Sequence, residues 1–286
     1  MTLSALGLIV TAAFIHATWN LLAKRAAGGA AFVWLYSLAG FVFYAPVIVL
    51  FVLLDPPAYG VTGWSLIGAS GVLHLFYSIA LQRGYQAADL SLVYPVARGT
   101  GPLISSLGAI VLFGEHPTLS GAVGIGLIVC GVLIISGASR ELLSLDAAKG
   151  VIFGMITGCF IASYTLNDAY AVKSLAVSPI LLDYFGNAVR LLFLSPAVLL
   201  RPQELRAARR SHLGLACAVG ALVPLSYILA LFAMRLSPVS YVAPARELSM
   251  LVGAFLGARV LGEGYAARRL IGAALMVAGI MGLALG

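Results

Sequence analysis

YPVARGTGPLISSLGAIVLFGEHPTLSGAVGIGLIVCGVLIISG, residues 94–137, occurs a second time in altered form as VAPARELSMLVGAFLGARVLGEGYAARRLIGAALMVAGIMGLALG, residues 242–286. Arg98 falls on Arg246, Gly114 on Gly262 and Glu115 on Glu263, each pair 148 positions apart with no gap between them. Each copy holds an apolar segment with a proline and an arginine, then a Gly-Glu turn, then a second apolar segment rich in glycine. A repeat of this length in a chain of 286 residues means two similar halves, divided here as 1–138 and 147–286.

Composition names the solvent. Hydrophobic residues make up 62% of the chain and charged ones 9%, with a mean hydropathy of +1.05. A soluble domain carries about 25% charged residues, so the medium is lipid and the useful count is of spans. The formal charge of +7 does not point to nucleic acid, because the basic residues sit in short connections between apolar runs and form no basic arm. Cys130, Cys159 and Cys217 lie inside apolar segments without ligand spacing, so no metal site is expected and they read as small membrane-core residues. The first apolar run continues through His16, Trp19 and Asn20 and lacks a basic leader, so it reads as a span rather than a removable signal.

A span needs about 20 mostly apolar residues. Such segments fall at 3–23, 32–54, 64–83, 89–113 and 119–137, and again at 147–170, 179–200, 213–234, 238–261 and 266–285. The expected fold is an all-α membrane protein of ten transmembrane helices. Strands are excluded because their edges would be unpaired in lipid, and the apolar runs are too long for the alternation of a membrane barrel.

Lys and Arg set the orientation. Odd-numbered connections carry twelve of the 17, even-numbered ones only Lys173 and Arg235, and Arg98, Arg190 and Arg246 lie within spans. The bias places the odd connections in the cytoplasm and both termini outside. Five spans per half is an odd number, so the second half enters the membrane upside down. Two inverted five-helix repeats are a ground plan of alternating access.

Ionisable groups inside spans mark candidate function. Arg98 and Arg246 lie roughly 12–15 Å deep at 1.5 Å rise per residue, each two or three positions after a proline (Pro95 or Pro244). They are candidates to receive an anionic group in bidentate fashion. The alternatives are that Glu247 or Asp183 neutralises Arg246 and that Arg98 snorkels along its helix. His16, Trp19 and Asn20 share one face at i, i+3 and i+4, and Tyr164, Asn167 and Asp168 repeat that geometry in the second half. Tyr94, one turn from Arg98, is placed to close over a bound group. Asp183, Asn187 and Arg190 form an expected ladder on the seventh segment. Glu247 is read either as a proton-coupling carboxyl or as the permanent partner of an arginine. His74, Tyr77 and Tyr227 are secondary candidates. The glycine-rich fifth and tenth segments read as scaffold, in a monomer or a homodimer.

No G-x-S-x-G, H-E-x-x-H or P-loop occurs, so the expectation is a non-enzyme without cofactor, dependent on no ATP site of its own. The order of elements, with Gly114-Glu115 and Gly262-Glu263 closing the fourth segment of each half, resembles the drug/metabolite transporter superfamily and its ten-span EamA-type exporters, over essentially the whole chain. HATWNLLAK, residues 16–24, resembles a branch that includes membrane proteins associated with phosphonate use. The resemblance implies secondary transport, often export, of amino acids, other metabolites or toxic compounds through a central cavity. With the midplane arginines, the expectation is export of a small anionic or zwitterionic metabolite such as an amino acid across a bacterial inner membrane, the proton being the candidate coupling ion. A multidrug exporter of the same fold, a channel and a structural membrane protein are the competing readings. Ten-span members of that family are described with cytoplasmic termini; the charge count says the reverse and is followed here.

Overall fold

The computed structural model describes residues 1–26, 29–87, 90–136, 145–253 and 267–285. Among them are ten helices of seven or more described residues: α1 (Leu3–Ala26), α2 (Gly29–Leu54), α3 (Gly60–Ala87), α4 (Leu90–Phe113), α5 (Leu119–Ser136), α6 (Leu145–Ser174), α7 (Pro179–Leu199), α8 (Pro202–Leu236), α9 (Val239–Ala245) and α10 (Ala267–Leu285). Lipid offers backbone groups no hydrogen bonds, so each apolar run closes its own as a helix. Punctuation between runs is local. Gly114 ends α4 at φ +63°, a conformation that costs a residue with a Cβ, and proline opens α7 and α8 in their first turn.

Among the described residues, six helices are long and apolar enough to cross a membrane: α1, α2, α3, α4, α6 and α8. The apolar parts of α5 and α10 are shorter, and α7 is not among the six; it carries Asp183 and Arg190. Length and apolarity alone thus mark, among the described residues, six of the ten spans read from sequence. Large apolar side chains lie on the outside, as on α2, where Val42, Phe43, Val47, Leu50 and Leu53 are exposed. This is an integral membrane protein whose outer surface is lipid-like.

Packing shows the inverted repeat directly. α1 packs on α8 and α6 on α3; α2 packs on α8 and α7 on α3. Each pair is converted into the other when α1–α5 are exchanged with α6–α10. The pairs α2–α7, α4–α9 and α5–α10 map onto themselves and lie on the pseudo-twofold axis. Glycines repeat the relation at atomic scale. A Cβ on Gly124 would lie 2.6 Å from the carbonyl oxygen of Gly279, and one on Gly131 would lie 2.7 Å from that of Gly272. Gly124 matches Gly272 and Gly131 matches Gly279 at the 148-residue spacing of the repeat, so the two contacts exchange under the symmetry.

Three features differ from the sequence reading. Residues 201–211, expected as a connection, are helical from Pro202 and form the first part of α8, which breaks at His212 (φ −134°). Good helix formers in QELRAARR and a proline at the start explain the helix. The ninth segment is not continuous, as described below. The three cysteines are free but exposed on the bundle, facing outward rather than into the core. The Gly262-Glu263 turn and the boundary between the halves lie outside the described residues.

The α5–α10 contact predicts a paired result. Gly124→Ala pushes a methyl against an opposing backbone that cannot rotate away and should cost ~1–3 kcal/mol, lowering the thermal midpoint in detergent. Gly126→Ala, with nothing within 4 Å of the added carbon, should leave it unchanged.

Candidate functional site

Pro244 creates the site's backbone. It has no N–H, so the Ser240 carbonyl one turn earlier loses its helical partner. Ser106 on α4 supplies the replacement, donating its hydroxyl to the Ser240 oxygen at 2.9 Å. α9 stops at Ala245; the next bonds close over three residues, Glu247 N–H to Pro244 O at 3.0 Å and Met250 N–H to Glu247 O at 2.8 Å. Helix resumes over 248–253. Arg246 and Glu247 sit in this break, against α4 of the other half.

Across that crossing lies the shortest charge contact among the described residues. Arg98 Nε is 2.7 Å from Glu247 Oε2, with the two side chains 14% and 5% exposed, although the angle is not that of a hydrogen bond. Arg98 also donates from Nη2 to Ser249 Oγ at 3.2 Å, and its guanidinium sits 5.8 Å from the Tyr94 ring centre. Glu247 is therefore the partner of Arg98, not of its chain neighbour. Arg246 turns instead over the face of Tyr227, 5.1 Å from the ring centre, a cation–π arrangement.

Tyr227 links that arginine to a second polar centre. Its hydroxyl donates to Asp168 Oδ2, as does Ser70 at 3.0 Å, while Asn167 donates to Asp168 Oδ1 at 2.9 Å. Asp168 is fully buried and these three donors answer its charge. His74 hangs on the Ser70 carbonyl at 2.8 Å, stacks on Tyr164 at 4.0 Å and meets Tyr227 edge-on at 5.3 Å. Tyr77 closes on Tyr164 from the side at 5.9 Å. The result is a cluster of four aromatic rings from α3, α6 and α8 between the two arginines and Asp168.

α7 carries the third group. Arg190 donates to Asn187 Oδ1 at 2.7 Å, and Asn187 donates to the Ser37 carbonyl at 3.0 Å. The expected ladder thus forms from Asn187 to Arg190, but Asp183 makes no hydrogen bond or ion pair among the described residues. Two small cavities flank it. One is lined by Ser70, His74, Asp183, Asn187, Arg190 and Tyr227; the other includes Tyr44, Asp183, Tyr184 and Asn187. Neither has Arg98 or Arg246 in its lining.

The first helix divides its candidates. His16 contacts Trp19 edge-on at 4.7 Å and lies within electrostatic reach of Arg98 and Arg246. Trp19 packs on a separate apolar cluster with Phe32 and Leu35. Asn20 is exposed and donates to the His16 carbonyl of its own helix. The shared face read from spacing is thus split among different surroundings, on a helix that rests against α8. Sequence reading missed Ser70 and Ser249. Ser70 lies four residues before His74 on one helix face and was legible there; Ser249 had no signal, since its approach to Arg98 depends on the break in α9.

A clamp at one end of the bundle fixes the start of α9. Glu115 accepts the backbone N–H groups of Val239 at 2.7 Å and Ser240 at 2.8 Å, and Lys173 lies 3.3 Å away. Lys173 also donates to the Ser237 carbonyl, Thr2 N–H donates to Ser237 Oγ, and the amino terminus donates to the Leu283 carbonyl. Burial works against the charge on Glu115, but the Ser240 and Val239 N–H groups with Lys173 outweigh it and hold the carboxyl below its ordinary range.

Residues 148–285 match the model of the EamA-like transporter family, which is a likeness of the second half. No curated protein sequence matches the chain. A crystal structure of another protein superposes with a TM-score of 0.76 over 99% of this chain and 98% of that one, at 15% identity. That likeness is of fold.

Glu115 gives a pH prediction with a definite sign. A carboxyl held low in the folded state stabilises above its unfolded pKa of about 4.3, and that contribution is lost as pH falls through the folded value. Glu115→Gln should melt below the parent near neutral pH, and the gap should close in acid. A gap that stayed constant with pH would assign the loss to shape rather than charge.

Proposed function

We propose that this chain, whose residues 148–285 match the EamA-like transporter family, is a secondary transporter. In this reading it exports a small zwitterionic metabolite, such as an amino acid, by alternating access between its two halves, 1–138 and 147–286. The observation that carries the reading is the Arg98–Glu247 pair at the α4–α9 crossing. An ion pair removed from water is held only while each charge has a partner, and removing one side costs ~3–5 kcal/mol. A zwitterion meets that condition: its carboxylate takes over Arg98 as its ammonium takes over Glu247. A lone anion would strand Glu247, and a lone cation would strand Arg98.

The surroundings support the same class of substrate. Arg246 provides a second guanidinium for a carboxylate, and Ser249 a hydroxyl beside it. His16 sits within the field of both arginines, and Tyr94 covers Arg98. Tyr164, with Asn167 and Asp168 behind it, forms the opposite wall. The site lies where the two inverted repeats cross, the usual place for a substrate in such folds. The end clamped by Glu115 and Lys173 faces outside if the charge bias sets orientation in a bacterial inner membrane; opening it would then require those contacts to part. Both halves lie in one chain, so a monomer suffices.

One observation favours a different substrate. The rings of His74, Tyr77, Tyr164 and Tyr227 make an aromatic wall that suits a lipophilic cation, the cargo of a multidrug exporter.

Thermal stability of the purified protein separates the two. Specific binding raises stability by mass action, about 2.7 kcal/mol at a hundred times Kd. An L-amino acid should raise the midpoint of the parent and leave Arg98→Gln/Glu247→Gln unmoved, the double change sparing the fold an unpaired charge. Arg246→Ala should weaken the shift. If lipophilic cations alone stabilise, and the arginine variants respond as the parent does, the zwitterion reading is wrong.

A further inference from the structure

Among the described residues, three carboxylates lie within the apolar segments read as spans from sequence, and their surroundings differ. Glu247 is held by Arg98. Asp168 accepts from Tyr227, Ser70 and Asn167. Asp183 has neither a hydrogen bond nor an ion pair among the described residues, yet it lies between two small cavities on α7. The cation best placed to answer it, Arg190, is spent on the neutral amide of Asn187, and Arg190 Nε remains buried without a partner beside the same cavity. An unpaired carboxylate in a membrane interior is too costly to be kept for packing alone.

We propose that Asp183 is the proton-coupling site of the transporter, separate from the substrate pair Arg98–Glu247. This rests on the transport reading above. The proton enters from water on one side, bonds to a carboxylate oxygen of Asp183, and leaves as a proton to water on the other; no other bond changes. A neutral Asp183 crosses the apolar barrier between states at low cost, and a charged one does not, so conformational exchange is tied to protonation.

The groups facing this site are Tyr44 from α2, Ser70 and His74 from α3, Tyr227 from α8 and Asn187 with Arg190 from α7 itself. Arg190, though hydrogen-bonded to Asn187, and Asp168 on α6 both act on Asp183 through their fields, with opposite sign. A metal cation would find one free carboxylate, with a guanidinium lining the same cavity, and hard cations take six or more oxygens. A proton needs one oxygen. Ser70 and Tyr227 both line the cavity of Asp183 and hold Asp168, so the cavity of Asp183 borders the hydrogen-bonded group that reaches the aromatic wall of the substrate site.

The test uses proteoliposomes and an equimolar mixture of radiolabelled L-amino acids, with two readouts for each protein. Counterflow reports the carrier cycle without a gradient; accumulation under an imposed pH gradient reports coupling. For Asp183→Asn, counterflow should stay within about twofold of the parent, while gradient-driven accumulation falls to the level seen without a gradient. Asp183→Glu should restore accumulation. Counterflow itself certifies folding, and Asp183→Ser replaces the amide variant should that one fail to insert. Accumulation retained in Asp183→Asn, or driven in the parent by a sodium gradient and not by pH, overturns the proposal alone. Absence of counterflow in the parent overturns the transport reading and this proposal with it.

Discussion

A guanidinium and a carboxylate from different halves, Arg98 and Glu247, meet 2.7 Å apart in a protein whose outer surface is apolar. Such a pair is stable only if nothing else must be left uncompensated nearby, and the rest of the bundle is arranged to that end. Arg246, the chain neighbour of Glu247, lies over the face of Tyr227. Tyr227 in turn spends its hydroxyl on Asp168, which needs two more donors and draws them from α3 and α6. One charge contact at the α4–α9 crossing therefore propagates, partner by partner, across α3, α6 and α8.

The backbone makes that crossing possible. Pro244 removes one hydrogen bond from α9, and Ser106 of the opposing half replaces it. The short helix is thereby stitched to α4 at the level where Arg246 and Glu247 leave the helical path. Its beginning is fixed by Glu115, again from the first half. Glycine contacts between α5 and α10 hold the same two halves together farther along, where carbonyls come as close as a missing Cβ permits. Charge, proline and glycine thus work on one problem, which is to bring two inverted units into contact with no water to solvate what lies between them.

Much of this is legible in the order of the amino acids. The two copies at 148-residue spacing, the apolar runs and the alternation of basic connections define an all-α membrane protein of two inverted repeats, and the packing pairs agree with it. Arg98, Arg246, Asp168, Asp183 and Glu247 stand out as ionisable groups in apolar runs because lipid makes such residues rare. Spacing on one helix misleads for Asn20, which shares a face with His16 by periodicity yet bonds only its own backbone. Periodicity reports which residues share a side, not which neighbour that side meets.

The sequence by itself determined the solvent, the helical class and the doubling of the chain, because hydropathy, helix length and repeat spacing are local sums along one dimension. Only the tertiary structure decided who pairs with whom: that Glu247 answers Arg98 rather than Arg246, that Asp168 is saturated with donors, and that Asp183 is left without one among the described residues. Partners 149, 98 and 59 positions apart, as Glu247, Ser70 and Tyr227 are from theirs, meet through the crossing of helices. An intramembrane charge is costly wherever it falls in the sequence, but its role is set by the donors that packing brings within about 3 Å of it.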